Sequence, residues 1–573
     1  MSRRSRLVLP AIGAILLFGV AGGAPVAHAT GPNVLLVCPS SPNDGPGLTG
    51  PQLDCSGSPY RSIQAAVDAA GPGDWVLVAP GVYHEKGGGT GVGVSITTPG
   101  LHLRGMDRNG VVIDGTNANA NGPCSDKPGD QDTGGRNGIV VKKVDGTSIE
   151  NLTACNFLNG HDAQGNQIWW NGGDGSGKVG LGKYNGSYIT GTSTYYNADH
   201  MGMYGIFVSN SSGPGTISYA YASNMGDSAF YVGACPDCHA TLDHVHAQNS
   251  ALGYSGTNAG GHLIIENSEW DHNKAGIVPN SLNNDDAPPP QNGLCPGSTT
   301  ASCTRITGNQ VHDNNNPNVP GSGIAGAAPI GSGIELAGAS FDTVDGNTVY
   351  NQGSWGIVVH DFPDTETPPA SGLSNCQGGT GSGSGSTYVC LFPAQGNVIT
   401  NNTLSNNGYF KNPTNGDLAL VSVKDIPKDC FAGNTDTAGL ASEPPAIQTL
   451  DGGPCPSSQP GSSPDAVLAA QLACASGVVT SCPTTPAAEY PKQEKVALLL
   501  PIPSQTTMPN PCSGVPDNRW CANGGLVTIG PALPEAPRVV LLPLAVAGLL
   551  TAAVVIRHRR RGRGASPDRL VRT

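Results

Sequence analysis

Residues 205–232, GIFVSNSSGPGTISYAYASNMGDSAFYV, hold one full period of a repeat. The run Gly205-Ile206-Phe207-Val208 returns as Ala229-Phe230-Tyr231-Val232, Gly253-Tyr254, Gly276-Ile277-Val278, Gly333-Ile334-Glu335-Leu336 and Gly356-Ile357-Val358-Val359. Consecutive members start 24, 24, 23, 57 and 23 residues apart, the 57 being two periods plus an insertion. A second run lies between them: Ile217-Ser218-Tyr219, Leu242-Asp243-His244, Ile265-Glu266-Asn267, Ile306-Thr307-Gly308 and Val344-Asp345-Gly346. A polar turn with Asn224, Asn249, Asn273, Asn314 or Asn351 closes each period. A fixed period in this range means a solenoid or array. Strands of three to five residues between Gly/Asn turns, with no helical pattern, predict an all-β parallel coil.

One such turn cannot bury its own apolar side. Stacking turns at about 4.8 Å builds parallel sheets and a continuous core. Asn side chains at matching turns can pair with the next rung, satisfying amides that burial would leave unpaired. The open end of the coil needs a cap. In Tyr60–Ala70, Ile63, Ala66, Val67 and Ala70 fall on one helical face, with Ser62 as N-cap. Gly73–Tyr83, GDWVLVAPGVY, then reads as turn, strand and turn, and Glu85 follows.

This passage resembles the start of pectin-lyase-like right-handed parallel β-helix proteins, which carry a helix of the form SIQAAIDAA, then GDTVLVAPGTY and a glutamate. The resemblance covers residues 58–435 and implies that fold. It implies no single activity, because the fold hosts lyases, hydrolases, epimerases and non-catalytic adhesins. Alginate-type epimerases carry Asp-Pro-His-Asp, and neither Asp199-His200 nor His360-Asp361 matches it. Polygalacturonases need an ordered motif set; Asp285-Asp286 stands without its companions. Pectate lyases use an arginine base near calcium-binding acids, and Arg305 has no such setting.

The ends read as sorting signals. Residues 1–29 combine Arg3, Arg4 and Arg6, an apolar run and Ala27-His28-Ala29, the layout of a signal peptide. Residues 30–57 are an N-terminal extension, and 436–538 a Pro/Ser-rich, cysteine-containing stalk. Residues 539–556 carry no charge and match one transmembrane helix, with a basic cytoplasmic tail at 557–573. Leu533–Pro537, LPEAP, resembles a sortase signal but lacks its Thr and Gly. The expectation is an exported, monomeric cell-surface protein held in the plasma membrane by its C-terminal helix.

Residues 30–556 hold 19 basic and 41 acidic residues, a surface that repels phosphate backbones and excludes nucleic acid as partner. Sixteen cysteines in an exported chain imply disulfides. Spacing suggests Cys38–Cys55, Cys124–Cys155, Cys295–Cys303, Cys376–Cys390 and Cys512–Cys521, and a staple instead of zinc at Cys235–Cys238.

Aligned rungs give three polar columns. The first holds Ser218, Asp243, Glu266, Thr307 and Asp345; the second Tyr221, His246, Glu269, Gln310 and Thr348; the third Asn224, Asn249, His272, Asp313 and Asn351. Asp243 with Glu266, carboxylates one rung apart, form a candidate acid–base or cation-sharing pair. His246 beside Glu269 is a candidate general base. Two insertions, 280–303 and 360–390, leave equivalent strands and stand on one side of the coil, where they can wall a groove. Asp285 and Asp286 are the first choice for a calcium or sugar contact; His272, Asp313, His360 and Asp361 are further substrate-binding candidates. Trp169, Trp170, Tyr195, Tyr196, Tyr204, Tyr219 and Tyr221 cluster early in the solenoid, as sugar platforms do. Two readings follow: a surface protein that binds or processes extracellular polysaccharide (if an enzyme, a lyase or glycoside hydrolase), or a non-catalytic display rod.

Overall fold

A computed structural model describes residues 31–40, 48–283, 289–364, 376–384, 387–452, 455, 460–463, 465–494 and 498–529. Three long parallel sheets wind into a right-handed parallel β-helix. In each sheet every strand pairs with its counterpart one turn away: the first runs from Val34–Val37 to Cys430–Ala432, the second from Gly81–Tyr83 to Thr403–Ser405, the third from Val92–Ile96 to Ser442–Glu443.

The register explains the core. Alternation along each strand sends one residue in and the next out. Ile206, Phe230, Tyr254, Ile277, Ile334 and Ile357 stack inward along the third sheet. Ile217, Leu242, Ile265, Ile306 and Val344 do so along the first. All are buried.

From Tyr221–Ser223 onward, the corner between the second and third sheets takes a left-handed residue in each turn, which favours Asn. Asn224, Asn249, His272, Asp313, Asn351 and Asn406 occupy it with φ of 65, 50, 54, 53, 57 and 51°. Asn ladders satisfy the buried turns: Asn309 donates to Asn347 at 2.9 Å, Asn347 to Asn402 at 2.9 Å, and Asn402 to Asn434 at 2.8 Å. Asn249 likewise donates to Asn224 at 2.7 Å and Asn273 to Asn314 at 3.0 Å, as the repeat suggested.

Helix α1 (Ile63–Ala69) covers the first turns, with the Ser62 hydroxyl accepting from the Ala65 amide. Glu85 adds a second cap: its carboxylate accepts from the Ile63 amide at 2.6 Å and the Ser62 hydroxyl at 2.8 Å. A negative charge at the helix N-terminus is stabilising there.

Two boundaries differ from expectation. Residues 34–37, read as part of an extension, form the first strand of the first sheet, because VLLV continues the apolar stack below Trp75–Val78. The C-terminal segment is not an extended stalk. Helix α3 (Ala466–Ala475; α2 is the short Gly323–Gly326) packs Leu468, Leu472 and Ala475 against Trp355, Val358 and Ala419. The chain then threads back along the solenoid. The Leu498 and Leu500 carbonyls accept from Asn249 and Asn224 at 3.0 and 2.9 Å, and the Gln505 amide donates to Asn109 at 2.8 Å. Residues 512–521 close on the first turns, where Cys512, Val515 and Trp520 join Leu36, Leu53 and Trp75. Polar ladder groups at the corners supply partners for a prolyl-rich strap that adds no strand to the three long sheets and pairs only Cys521–Ala522 with Gly525–Leu526 within itself, which composition alone did not reveal.

The five proposed disulfides form, as do Cys235–Cys238, Cys430–Cys455 and Cys474–Cys482. Among the described residues no helix is long and apolar enough to cross a membrane. The expected signal peptide and the span 539–556 lie outside them.

Candidate functional site

The outer face of the third sheet is the floor of a groove of about 1010 Å³. Its strands present alternate side chains outward, so Trp169, Phe207, Tyr231, Ser255, Val278 and Glu335 form one column by register. A parallel column holds Asn171, Ser209, Thr257, Asn280 and His360. The walls come from residues 162–164 and 173–175, the α2 region, Phe362, Pro363 and Leu391 of the second insertion, and α3 with Val478.

One end is aromatic. The Trp169 and Phe207 rings stack at 5.1 Å and 8°, Tyr204 stacks on Phe207 at 4.4 Å and 16°, and Tyr231 meets Phe207 edge-on at 4.7 Å. Polar tips are fixed: the Trp169 indole donates to Ser209 Oγ at 3.0 Å, and the Tyr204 hydroxyl to Asp227 at 2.8 Å. The middle is neutral and polar, with Thr257 Oγ1 donating to Asn280 Oδ1 at 2.8 Å and Asn280 Nδ2 to Ser255 Oγ at 3.1 Å.

The far end holds a buried ion pair. His360 Nε2 lies 2.9 Å from Glu335 Oε1, and its Nδ1 lies 2.8 Å from the Asp361 carbonyl. Both partners accept only, so the ring carries both protons. Burial favours the neutral imidazole, but the Glu335 carboxylate outweighs it and holds the His360 pKa above its usual value. Nearby Lys274 is buried, with its pKa lowered by desolvation to about 8, and its ammonium donates to the Gly326 carbonyl. A ring whose two nitrogens are both donating has no lone pair left for proton abstraction. This end positions and neutralises charge.

Five carboxylates, Asp162, Asp174, Asp227, Glu335 and Asp361, line the groove, and no lysine or arginine does so among the described residues. Its lining is therefore acidic on balance, with Glu335 paired to His360 and Asp174 to Lys143.

The sequence candidates fall on three faces. Asp243 and Glu266 pair by register on the first sheet, and Asp243 Oδ1 is engaged by His244 at 2.7 Å and Asn267 at 3.0 Å. His246 and Glu269 pair on the second sheet, with the corner residues His272 and Asp313 beside them. His360 and Asp361 line the third-sheet groove. The two candidate pairs thus stand on different sheets: Asp243 and Glu266 end strands of the first, whereas His246 and Glu269 begin strands of the second. Asp285 and Asp286 lie outside the described residues. Of the aromatic cluster, Trp169 and Tyr204 line the groove, whereas Trp170 is core and Tyr221 is covered. Tyr219 is 44% exposed and stacks between Tyr188 and His244 on a corner. Phe207, Tyr231 and Glu335 escaped notice because they sit within the core-forming runs; strand alternation places each on the outward side.

No family model matches the chain, and no curated protein matches it. Among solved structures, the A-module of Azotobacter vinelandii mannuronan C-5 epimerase AlgE4 aligns at 16% identity and a TM-score of 0.39, covering 68% of this chain and 95% of its own. The AlgE6 A-module gives 14% and 0.37, covering 65% and 90%. An alginate lyase from Paenibacillus sp. gives 11% and 0.31, covering 65% and 92%. Likenesses this distant carry no argument about chemistry.

Proposed function

We propose that the third-sheet groove binds an extended, extracellular polysaccharide that is neutral or carries amino groups. The stacked Trp169–Phe207–Tyr204 shelf, opening onto a polar floor inside one walled groove, carries this reading. Flat apolar rings flanked by fixed hydrogen-bonding groups suit the two-sided character of a sugar. The carboxylate lining, without lysine or arginine among the described residues, disfavours polyuronates. The closed Glu335–His360 pair favours retention over bond cleavage.

A panel of neutral, amino-bearing and uronate polysaccharides, read for both binding and cleavage with the full chain, tests this. Binding to neutral or amino-bearing glycans is expected, weakened at least tenfold by Trp169→Ala. Silence across the panel, or preference for a polyuronate, defeats it.

We also propose export and anchoring through residues 539–556. The Ile529 amide donates to the Gln52 carbonyl at 2.9 Å, returning the chain to the solenoid's N-terminal pole ten residues before that apolar run. Protease shaving of intact cells should release the solenoid; recovery of all the protein from the cytosol would refute the proposal.

A further inference from the structure

The outer face of the second sheet carries a separate convergence of donors. We infer that His246 Nε2, Asp271 Oδ1 and Glu269 Oε2 form a binding site for a divalent transition metal of the zinc or manganese type. His246 and Glu269 are register partners on adjacent rungs, and Asp271, two residues after Glu269, points to the same side. The three ligand atoms lie within 4.8 Å of one another. His246 Nε2 is 2.5 Å from Asp271 Oδ1 and 3.9 Å from Glu269 Oε2.

Neighbouring groups aim these atoms. Gln248 Nε2 donates to Asp271 Oδ2 at 2.7 Å, and His272 Nδ1 holds that same oxygen, which leaves Oδ1 turned to His246. His312 Nε2 lies 3.2 Å from Glu269 Oε1, leaving Oε2 turned inward. His312 is itself fixed by Asp313 at 2.9 Å and by the Tyr350 ring stacked at 4.7 Å. Carboxylates oriented from behind by such partners are what a metal site needs.

The donor set selects the ion. One imidazole and two carboxylates suit zinc, manganese, cobalt or nickel, whereas calcium takes 6–8 oxygens. Metal–ligand distances of about 2.0–2.2 Å put tetrahedral ligands roughly 3.3 Å apart. The short His246–Asp271 approach must open, and the longer His246–Glu269 one close, each by about half an ångström or somewhat more. Asp271 is 3% exposed while Glu269 is 49% exposed, so the site is rooted in the sheet and open to solvent, with positions left for water. Among the described residues the other convergent set is Asp114, Cys124 and Cys155, and both of its sulfurs are in a disulfide.

Calorimetric titration of the untagged full chain with zinc chloride, manganese chloride and calcium chloride tests the site. Zinc or manganese should bind one site, with affinity falling at least tenfold in His246→Gln and in Glu269→Gln. His312→Gln should also weaken binding, by about tenfold, through loss of aim. An absence of binding, a preference for calcium, or binding unchanged in the His246→Gln/Glu269→Gln double variant overturns the assignment.

Discussion

The second and third sheets belong to one coil and keep the same strict register, yet their outer faces differ. The third is a walled groove with an aromatic shelf; the second is an open polar strip of histidines and carboxylates. The connections make the difference. From Glu150 to Thr403 every passage from the first to the second sheet takes two residues, such as Tyr219-Ala220 and His244-Val245. Long excursions instead enter or leave the third sheet: 281–303 and 361–397 on one side, 313–331 on the other. The repeat thus supplies a flat surface, and insertions at its corners decide which surface becomes a site. Burial follows. The carboxylate of Glu335 is covered and must be paired, whereas Glu269 stays half in water.

The contrast is open to attack in four ways. The largest effect should come from Glu335→Gln, which removes the charge that pairs with His360 in the groove floor. A loss of about 3–5 kcal/mol in chemical unfolding is expected, against less than about 0.5 kcal/mol for Glu269→Gln without metal. Equal costs would mean the two faces are buried alike. Next, Trp169→Ala should weaken glycan binding at least tenfold, about 1.4 kcal/mol, while His246→Gln leaves it unchanged. A reversed pattern would move glycan recognition to the second sheet.

Asn249→Ala, which cuts both the rung-to-rung bond and the bond to the strap, should cost about 1–2 kcal/mol in thermal unfolding. A smaller cost would show that the strap is held elsewhere. The fourth test concerns pH. Asp342, fully buried beside Gln291, has its pKa raised by desolvation to about 7 from 3.8. The folded state therefore holds more protons than the unfolded one between roughly pH 4 and 7, and stability falls as pH rises through that window. His360, raised above 6.5, adds a contribution that is complete below 6.5 and lost at higher pH. Unfolding midpoints should be higher at pH 5 than at pH 8, and Asp342→Asn should flatten part of the slope.

Much of this was legible in the chain because a solenoid makes sequence distance equivalent to height. The columns Asp243–Glu266 and His246–Glu269 follow from counting rungs, and both pairings hold. Asp271 was one alternation away from Glu269, yet it is the closer partner of His246. The groove was half legible: its walls were expected near His360, but the outward residues of the third sheet sit inside the apolar runs that announce the core. The path of 489–494 and 498–529 left no periodic trace, since a strap that borrows hydrogen bonds from a finished ladder needs no pattern of its own.

The sequence by itself determined the coil: its period, its inward stack and its Asn corners, because each turn repeats the same local solution of strand, left-handed turn and strand. Only the tertiary structure decided which outer face is enclosed, which carboxylates are oriented from behind, and that the C-terminal chain doubles back to the first turns. Those outcomes depend on contacts between residues up to hundreds of positions apart, such as Asn224 with Leu500. A repeat cannot encode them, since its copies are alike and these contacts are made once.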